Sequence, residues 1–383
     1  MRLVRLASAV ALILAPLPAL AFDPTGNIVA DALLNTLERS GYRDVTVGNV
    51  SRGDGATILE SIRGVGTNSG APMTIARARI VNGIVNADNE LVADEIVYEN
   101  TSVADENSPS PSTVGRVVIS GARYPIAEGG EGLTSLFGTF DRVAVENVEA
   151  RAESGDLVTI ASMIATIEER DLSKGAGGSV AIEGLGFDVG LWEEPAASQM
   201  RALGYDAMSI DFTASGRWQA DTGRAEISDV RVAIDDLGTL TLTSDLSGLT
   251  ANTVASLQAG ITDIGQLLPL LQSVTIADLS LAYTDAGLTP RVIDQLAANS
   301  NAPREAVTQA LVATIPDALS ILNAPSFTQS VVDAAKTFLD APGTLSLKAS
   351  PASPVSMAQL MGAVMMGPQM IPSLLNLEIS ARK

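Results

Sequence analysis

Residues 143–150 read VAVENVEA, and this short stretch decides the fold. Apolar residues alternate along it, but the alternation slips by one position at the Glu-Asn pair, so that Val143 and Val145 are odd-numbered whereas Val148 is even-numbered. In a β-strand, residues two positions apart share a face. A β-bulge absorbs one extra residue and returns the later apolar residues to that face. A two-residue hairpin turn would also place Val145 opposite Val148, but Glu-Asn is not a favoured pair for such a turn. The pattern therefore favours a bulged or bent strand.

The same unit recurs along much of the chain, with Asn, Asp or Gly at the slip because these residues tolerate unusual backbone angles. Further copies occupy residues 45–50, 96–100, 117–121, 180–187, 225–232 and 274–281. Between Met208 and Leu249, alternating stretches are separated by two short turns, which predicts a meander of antiparallel strands. Alternation of this kind is typical of a sheet with one buried face and one wet face.

Helical periodicity flanks these strands. Asn27 precedes apolar residues at helical spacing, and Gly41 stands where that helix should end. The helical period returns from Thr289, and it is followed by two further alternating stretches at residues 343–349 and 375–381. Both ends of the chain should therefore contribute helices, and the last residues should add strands.

The predicted fold class is α+β, mainly β: a large curved antiparallel sheet with bulged strands, packed against a C-terminal helical segment. We expect a β-rich domain with a short N-terminal helix over residues 22–288. The helical segment should occupy residues 289–383, with its terminal strands returning to the sheet.

The first 21 residues have the layout of a secretory signal peptide. Arg2 and Arg5 form a basic start, residues 6–20 are apolar, and residues 19–21 form a small-x-small cleavage site. We expect cleavage after Ala21 and export to the periplasm, with the extracellular space as the alternative destination. An uncleaved N-terminal anchor is the other interpretation of this segment. No transmembrane span is predicted after cleavage.

The amino-acid composition argues against several classes of binding and catalytic site. The 24 basic and 44 acidic residues give a net charge of −20, which repels nucleic acid and anionic membranes. The chain has no His and no Cys, so the commonest general base, the usual zinc ligands and every Ser-His or Cys-His nucleophile are missing. We predict neither a cofactor nor a metal site.

Two groups of acidic residues could carry chemistry. Glu193 and Glu194 follow Trp192, and paired carboxylates can serve glycoside hydrolysis. The acidic loop at residues 86–95 offers oxygen ligands for calcium, but its spacing does not match a helix-loop-helix site. A solvated surface is the favoured interpretation of both groups.

A methionine-rich segment is the least ordinary feature. Met357, Met361 and Met365 are spaced as one stripe of a helix, and Met366 and Met370 lie close by. An ordinary buried helix face is one interpretation. A soft site for an apolar ligand or partner is the second, and copper(I) binding by thioethers is the third. These five methionines are the predicted ligand-binding residues.

The recurring strand unit after an export signal resembles bacterial envelope proteins of the AsmA-like and YdgA-like kind. Residues 143–150, 225–232 and 274–281 carry this resemblance, which covers roughly residues 45–290 as a style of sequence. It implies long curved β-sheets, and for some members of those families the shielding of lipid acyl chains in a groove. It assigns no functional residue to this chain.

The leading functional hypothesis is an exported, non-catalytic envelope protein that binds an apolar, lipid-like ligand or an envelope partner. The alternative is a structural or scaffolding periplasmic protein without a ligand. A carboxylate-based hydrolase is the third hypothesis, with Glu193 and Glu194 as its best candidates.

Overall fold

The computed structural model describes residues 22–67, 69–104, 110–126, 139–151, 155–171, 173–258 and 271–383. Within this part of the chain, 17 strands belong to one large open antiparallel sheet, and most helices lie toward the C-terminal end. The mainly β fold class is confirmed. The predicted signal peptide, residues 1–21, lies outside the described residues.

The strands are numbered in chain order. They are β1 Tyr42–Thr46, β2 Asn49–Gly53, β3 Ala56–Gly66, β4 Pro72–Val81, β5 Ile84–Val85, β6 Glu90–Val103, β7 Ser112–Pro125, β8 Arg142–Arg151, β9 Leu157–Glu169, β10 Gly175–Asp188, β11 Ala207–Gln219, β12 Arg224–Ile234, β13 Gly238–Ser247, β14 Thr275–Asp285, β15 Thr344–Ala349, β16 Val355–Ser356 and β17 Leu377–Arg382.

The helices are numbered in the same way. They are α1 Ile28–Arg39, α2 Ala196–Ala202, α3 Ala251–Gln258, α4 Leu288–Ser300, α5 Arg304–Ala313, α6 Ile315–Ala318, α7 Pro325–Asp340, α8 Met357–Met366 and α9 Ile371–Leu374. Single 3₁₀ turns occupy Val189–Leu191, Ser320–Leu322 and Pro368–Met370.

The chain forms two compact units. The first combines Val180–Ser209 with the described residues up to Ile167, and the second combines Glu168–Ser179 with the described part of Ile210–Lys383. The domain boundary expected near residue 288 stays a prediction. The last strands lie in the sheet, where β15 pairs with β14 and β17 pairs with β15.

Helix α1 supplies the core of the first unit. The Asn27 side chain accepts hydrogen bonds from the backbone N–H groups of Val29 and Ala30, which caps the N-terminus of the helix. Leu33 and Leu34 are almost fully buried against the sheet. Their partners include Leu59, Ile62, Ile80, Leu91 and Ile96, all with no measurable exposure.

Six of the seven parity slips lie inside strands, and the slip at residues 45–50 lies between β1 and β2, which both pair with β3. The bulged or bent strand is therefore confirmed, and the hairpin turn is wrong at these copies. In the second unit, β12 carries a true bulge: Ile227 pairs with Ser244, yet Val230 pairs with Leu242. In the first unit, Asn147 adopts a left-handed backbone with a φ of 56°. Pairing then resumes in the same register, because Gly115 of β7 is skipped as well.

Candidate functional site

The sheet of the second unit has an apolar face built from residues that line up across strands. Pairing is direct from β11 through β12, β13, β14 and β15 to β17. Two apolar rows result. The first contains Phe212, Val232, Leu240, Tyr283, Leu345 and Ala381, and the second contains Ala214, Val230, Leu242, Leu281, Leu347 and Ile379.

The opposite face of the same strands is polar. Thr213 donates a hydrogen bond to Asp229 at 2.7 Å, and the hydroxyls of Thr284 and Thr344 lie 2.9 Å apart. The Ser346 and Ser380 hydroxyls are also 2.9 Å apart. Cross-strand hydroxyl pairs suit a wetted face, so the two sides of this sheet are chemically distinct.

The apolar rows retain contact with solvent. Every one of their 12 side chains is half-buried or exposed, and Leu240 and Leu281 keep 44% and 38% of their surface accessible. Aliphatic residues on the inner face of a sheet are ordinarily buried. This exposure distinguishes the apolar rows from the core of the first unit.

Helix α7 covers one end of the apolar rows. It packs against β15 and β17, and the Phe338 ring meets the Tyr283 ring edge-on with centroids 6.0 Å apart. The Tyr283 hydroxyl donates to the backbone oxygen of Leu237 at 2.9 Å, which satisfies its polar end. Leu240, which pairs with Tyr283 on the next strand, is nevertheless exposed. The apolar rows are therefore less completely covered at β13 than at β14.

The five predicted methionines lie on and after helix α8. A capping box between Ser356 and Gln359 begins the helix. Met357 is half-buried, whereas Met365 and Met366 are 85% and 84% exposed. Met361 and Met370 are exposed as well. The interpretation of this stripe as a buried helix face is therefore wrong, and ligand binding by these residues stays a prediction.

These methionines share a surface with a second exposed segment. The turn Ser320–Leu322 lies beside Pro368–Met370, and Ile321 is 74% exposed. We define the apolar patch as Ile321, Met361, Val364, Met365, Met366 and Met370. Sequence reasoning missed Ile321, because only the chain path brings it next to the methionines.

One helical stretch among the described residues is long and apolar enough to cross a bilayer. It runs from Arg304 to Leu322, with a mean hydropathy of 1.2, and 11% of it is buried. The stretch is built of α5, α6 and a 3₁₀ turn, and Arg304 forms an ion pair with Asp294 of α4.

The carboxylates near Trp192 have structural partners. Glu194 accepts a hydrogen bond from the Ser198 backbone N–H at 3.2 Å and lies 3.8 Å from Arg201. The Ser198 hydrogen bonds, and to a smaller extent Arg201, lower the pKa of Glu194. A general acid at neutral pH needs a raised pKa, so this carboxyl is suited to capping helix α2.

The acidic loop at residues 86–95 is organised by Asn86. Its side-chain oxygen accepts from the backbone N–H groups of Asp88 and Glu90, and its amide donates to the Glu90 carboxylate. Such an Asx turn explains the polar composition of the loop. Among the residues that the structure describes, no group of three or more His, Cys, Asp or Glu side chains could hold a metal ion.

Comparison with known proteins gives one partial match. The model of a family described as "Uncharacterized protein" matches residues 231–382. A search of curated proteins found no match. The matched region begins in β12 and ends in β17, so it contains much of the apolar rows and the whole apolar patch.

Proposed function

We propose that this protein is exported to the periplasm and binds an apolar, lipid-like ligand on the apolar rows of the second unit. The observation that carries the proposal is the exposure of these rows, in which Leu240 and Leu281 keep more than a third of their surface accessible among other apolar side chains. Contiguous exposed apolar surface on a soluble protein marks a binding site.

The dimensions of the rows suit a long acyl chain. Six strands at about 4.8 Å spacing give each row a length of roughly 24 Å. Ten of the 12 side chains are aliphatic, Phe212 and Tyr283 are aromatic, and the cross-strand hydroxyl pairs of the same strands lie on the opposite face. A hydrocarbon ligand would therefore meet no unpaired charge along the rows.

Two sequence features support export and this ligand class. The basic start, apolar run and small-x-small site of residues 1–21 support translocation out of the cytoplasm. The resemblance of the strand unit to AsmA-like and YdgA-like proteins supports a lipid acyl chain over other apolar ligands.

Native purification tests the proposal directly. Protein recovered from the periplasmic fraction without detergent should carry lipid, detectable by mass spectrometry after solvent extraction. A protein that is lipid-free and also fails to bind a dansyl-labelled fatty acid in solution would contradict the proposal.

A pair of adjacent substitutions makes the test specific. Leu242→Asp places a charge in the second apolar row, whereas Thr241→Asp places the same charge on the polar face of the same strand. Burying a leucine side chain contributes about 1.5–3 kcal/mol. Leu242→Asp removes this contribution to ligand binding, so it should weaken fatty-acid binding at least tenfold. Thr241→Asp should leave it unchanged. Equal losses in both variants would mean that the rows are not the site.

A further inference from the structure

The apolar patch is built from two segments of the chain that contain no charged residue. Residues 349–377 contain no Asp, Glu, Lys or Arg, and neither do residues 318–332. The two segments meet where Ser320–Leu322 packs beside Pro368–Met370. Because 18% of the whole chain is charged, a neutral surface made from two separate segments needs an explanation.

The patch protrudes and is not a groove. Met365, Met366 and Ile321 are at least 74% exposed, so their side chains project from the surface. The methyl group of Met370 folds back toward Gly367, where a Cβ would meet it at 3.2 Å. Long, flexible thioether side chains adapt to many apolar surroundings. Protruding apolar residues of this kind insert readily into a soft apolar medium.

A second observation points to a bilayer. The stretch Arg304–Leu322 has the hydropathy and length of a membrane helix, and only 11% of it is buried. It ends in the turn that contributes Ile321 to the patch. It is nevertheless divided into α5, α6 and a 3₁₀ turn, and α5 packs against α4 and α7. A broken, packed helix of this kind suits the membrane interface better than a crossing.

We infer that the apolar patch docks the protein on a membrane surface, with Met365, Met366 and Ile321 entering the interfacial region. The net charge of −20 repels anionic headgroups, so the surface that fits is one of zwitterionic lipid. This inference does not depend on ligand binding by the apolar rows. If both hold, the patch gives the second unit access to the bilayer from which a lipid would be taken.

Vesicle flotation tests the inference with a matched pair of variants. Wild-type protein should float with phosphatidylcholine vesicles, and less with phosphatidylglycerol vesicles at low salt. The double variant Met365→Ser, Met366→Ser should bind phosphatidylcholine vesicles at least tenfold less. The control Ala358→Ser, Gln369→Ser changes two exposed residues of the same segment and should bind like wild type. Residues 1–21 are the same in all variants and undergo the same processing in the cell. A difference in vesicle binding between variants therefore reports the apolar patch alone.

Three outcomes would overturn the inference. The first is a flotation result that does not depend on the patch. Wild-type protein would fail to float with phosphatidylcholine vesicles, or the control variant would lose as much vesicle binding as the methionine double variant. The second is a wild-type dimer in analytical ultracentrifugation that the methionine double variant abolishes, which would make the patch an interface between copies. The third is loss of fatty-acid binding in vesicle-free solution by that variant, which would assign the methionines to the ligand site. Unchanged fatty-acid binding together with lost flotation supports the inference.

Discussion

In the first unit, helix α1 lies along the sheet, and the core that they share includes Leu59, Ile62 and Ile96, which have no measurable exposure. In the second unit, helix α7 packs against β15 and β17, while the apolar residues of β11, β12 and β13 keep partial contact with solvent. Both units are built from the same kind of strand. The difference teaches that similar alternating strands serve as a closed core in one unit and as an available surface in the other, according to the helix that accompanies them.

The largest expected effect is a difference in the free energy of unfolding between a substitution in the buried core of the first unit and one in the apolar rows of the second. Leu59→Ala in the first unit should lower the free energy of unfolding by about 2–5 kcal/mol. Leu240→Ala in the second unit should cost about 1 kcal/mol, because nearly half of its side chain is already in water. Urea unfolding followed by tryptophan fluorescence measures both.

The two tryptophans make this measurement local. Trp192 lies in the first unit and Trp218 in the second, so Trp218→Phe and Trp192→Phe backgrounds report one unit each. Equal losses for Leu59→Ala and Leu240→Ala would show that the apolar rows are covered as completely as the core of the first unit.

The next largest effect on stability concerns the residues at the parity slips within the strands. Asn147 of the first unit has a left-handed backbone, so Asn147→Ala should cost about 1–2 kcal/mol, whereas Asn147→Gly should be nearly neutral. Asp229 in the bulge of β12 is not left-handed, and Asp229→Ala removes one hydrogen bond with Thr213. That loss should be about 0.5–1 kcal/mol. A destabilising Asn147→Gly would contradict the backbone argument.

Glu38 should make a pH-dependent contribution to the stability of the first unit. Burial raises the pKa of Glu38, which lies on helix α1 at 2% exposure. A carboxyl whose pKa is raised on folding contributes stability below its ordinary pKa of 4.5 and loses it as the pH rises through the folded value. Glu38→Gln should therefore stabilise the first unit at pH 7 by about 1 kcal/mol, and the gain should vanish toward pH 4. A gain independent of pH would rule out Glu38 titration as its cause.

The smallest effect belongs to Ser244, which pairs with Ile227 and Leu279 across the second unit's sheet. Its hydroxyl is buried and has no hydrogen-bond partner. Ser244→Ala should change stability by less than about 1 kcal/mol, toward higher stability, because an unsatisfied buried hydroxyl is removed. A clear destabilisation would indicate that the hydroxyl has a partner in solution.

Much of the fold followed from residue parity. Alternation placed the meander between Met208 and Leu249, and the helical spacing of apolar residues after Asn27 placed α1. Parity shows which residues share a face, but it does not show what covers that face. The exposure of Leu240 and Leu281 could therefore not be predicted, because it depends on where α7 packs. For the same reason, helical spacing identified the methionine stripe but not its exposure or its neighbour Ile321.

The pairing pattern has a consequence for how the chain acquires its structure. Within each unit, most strands are hydrogen-bonded to the strands that come just before or after them in sequence. Each such pairing closes only a short stretch of chain, and a short loop costs less entropy to close than a long one. A chain of this kind can add one hairpin at a time to an existing edge as it emerges, in the order of its synthesis, without waiting for its C-terminus.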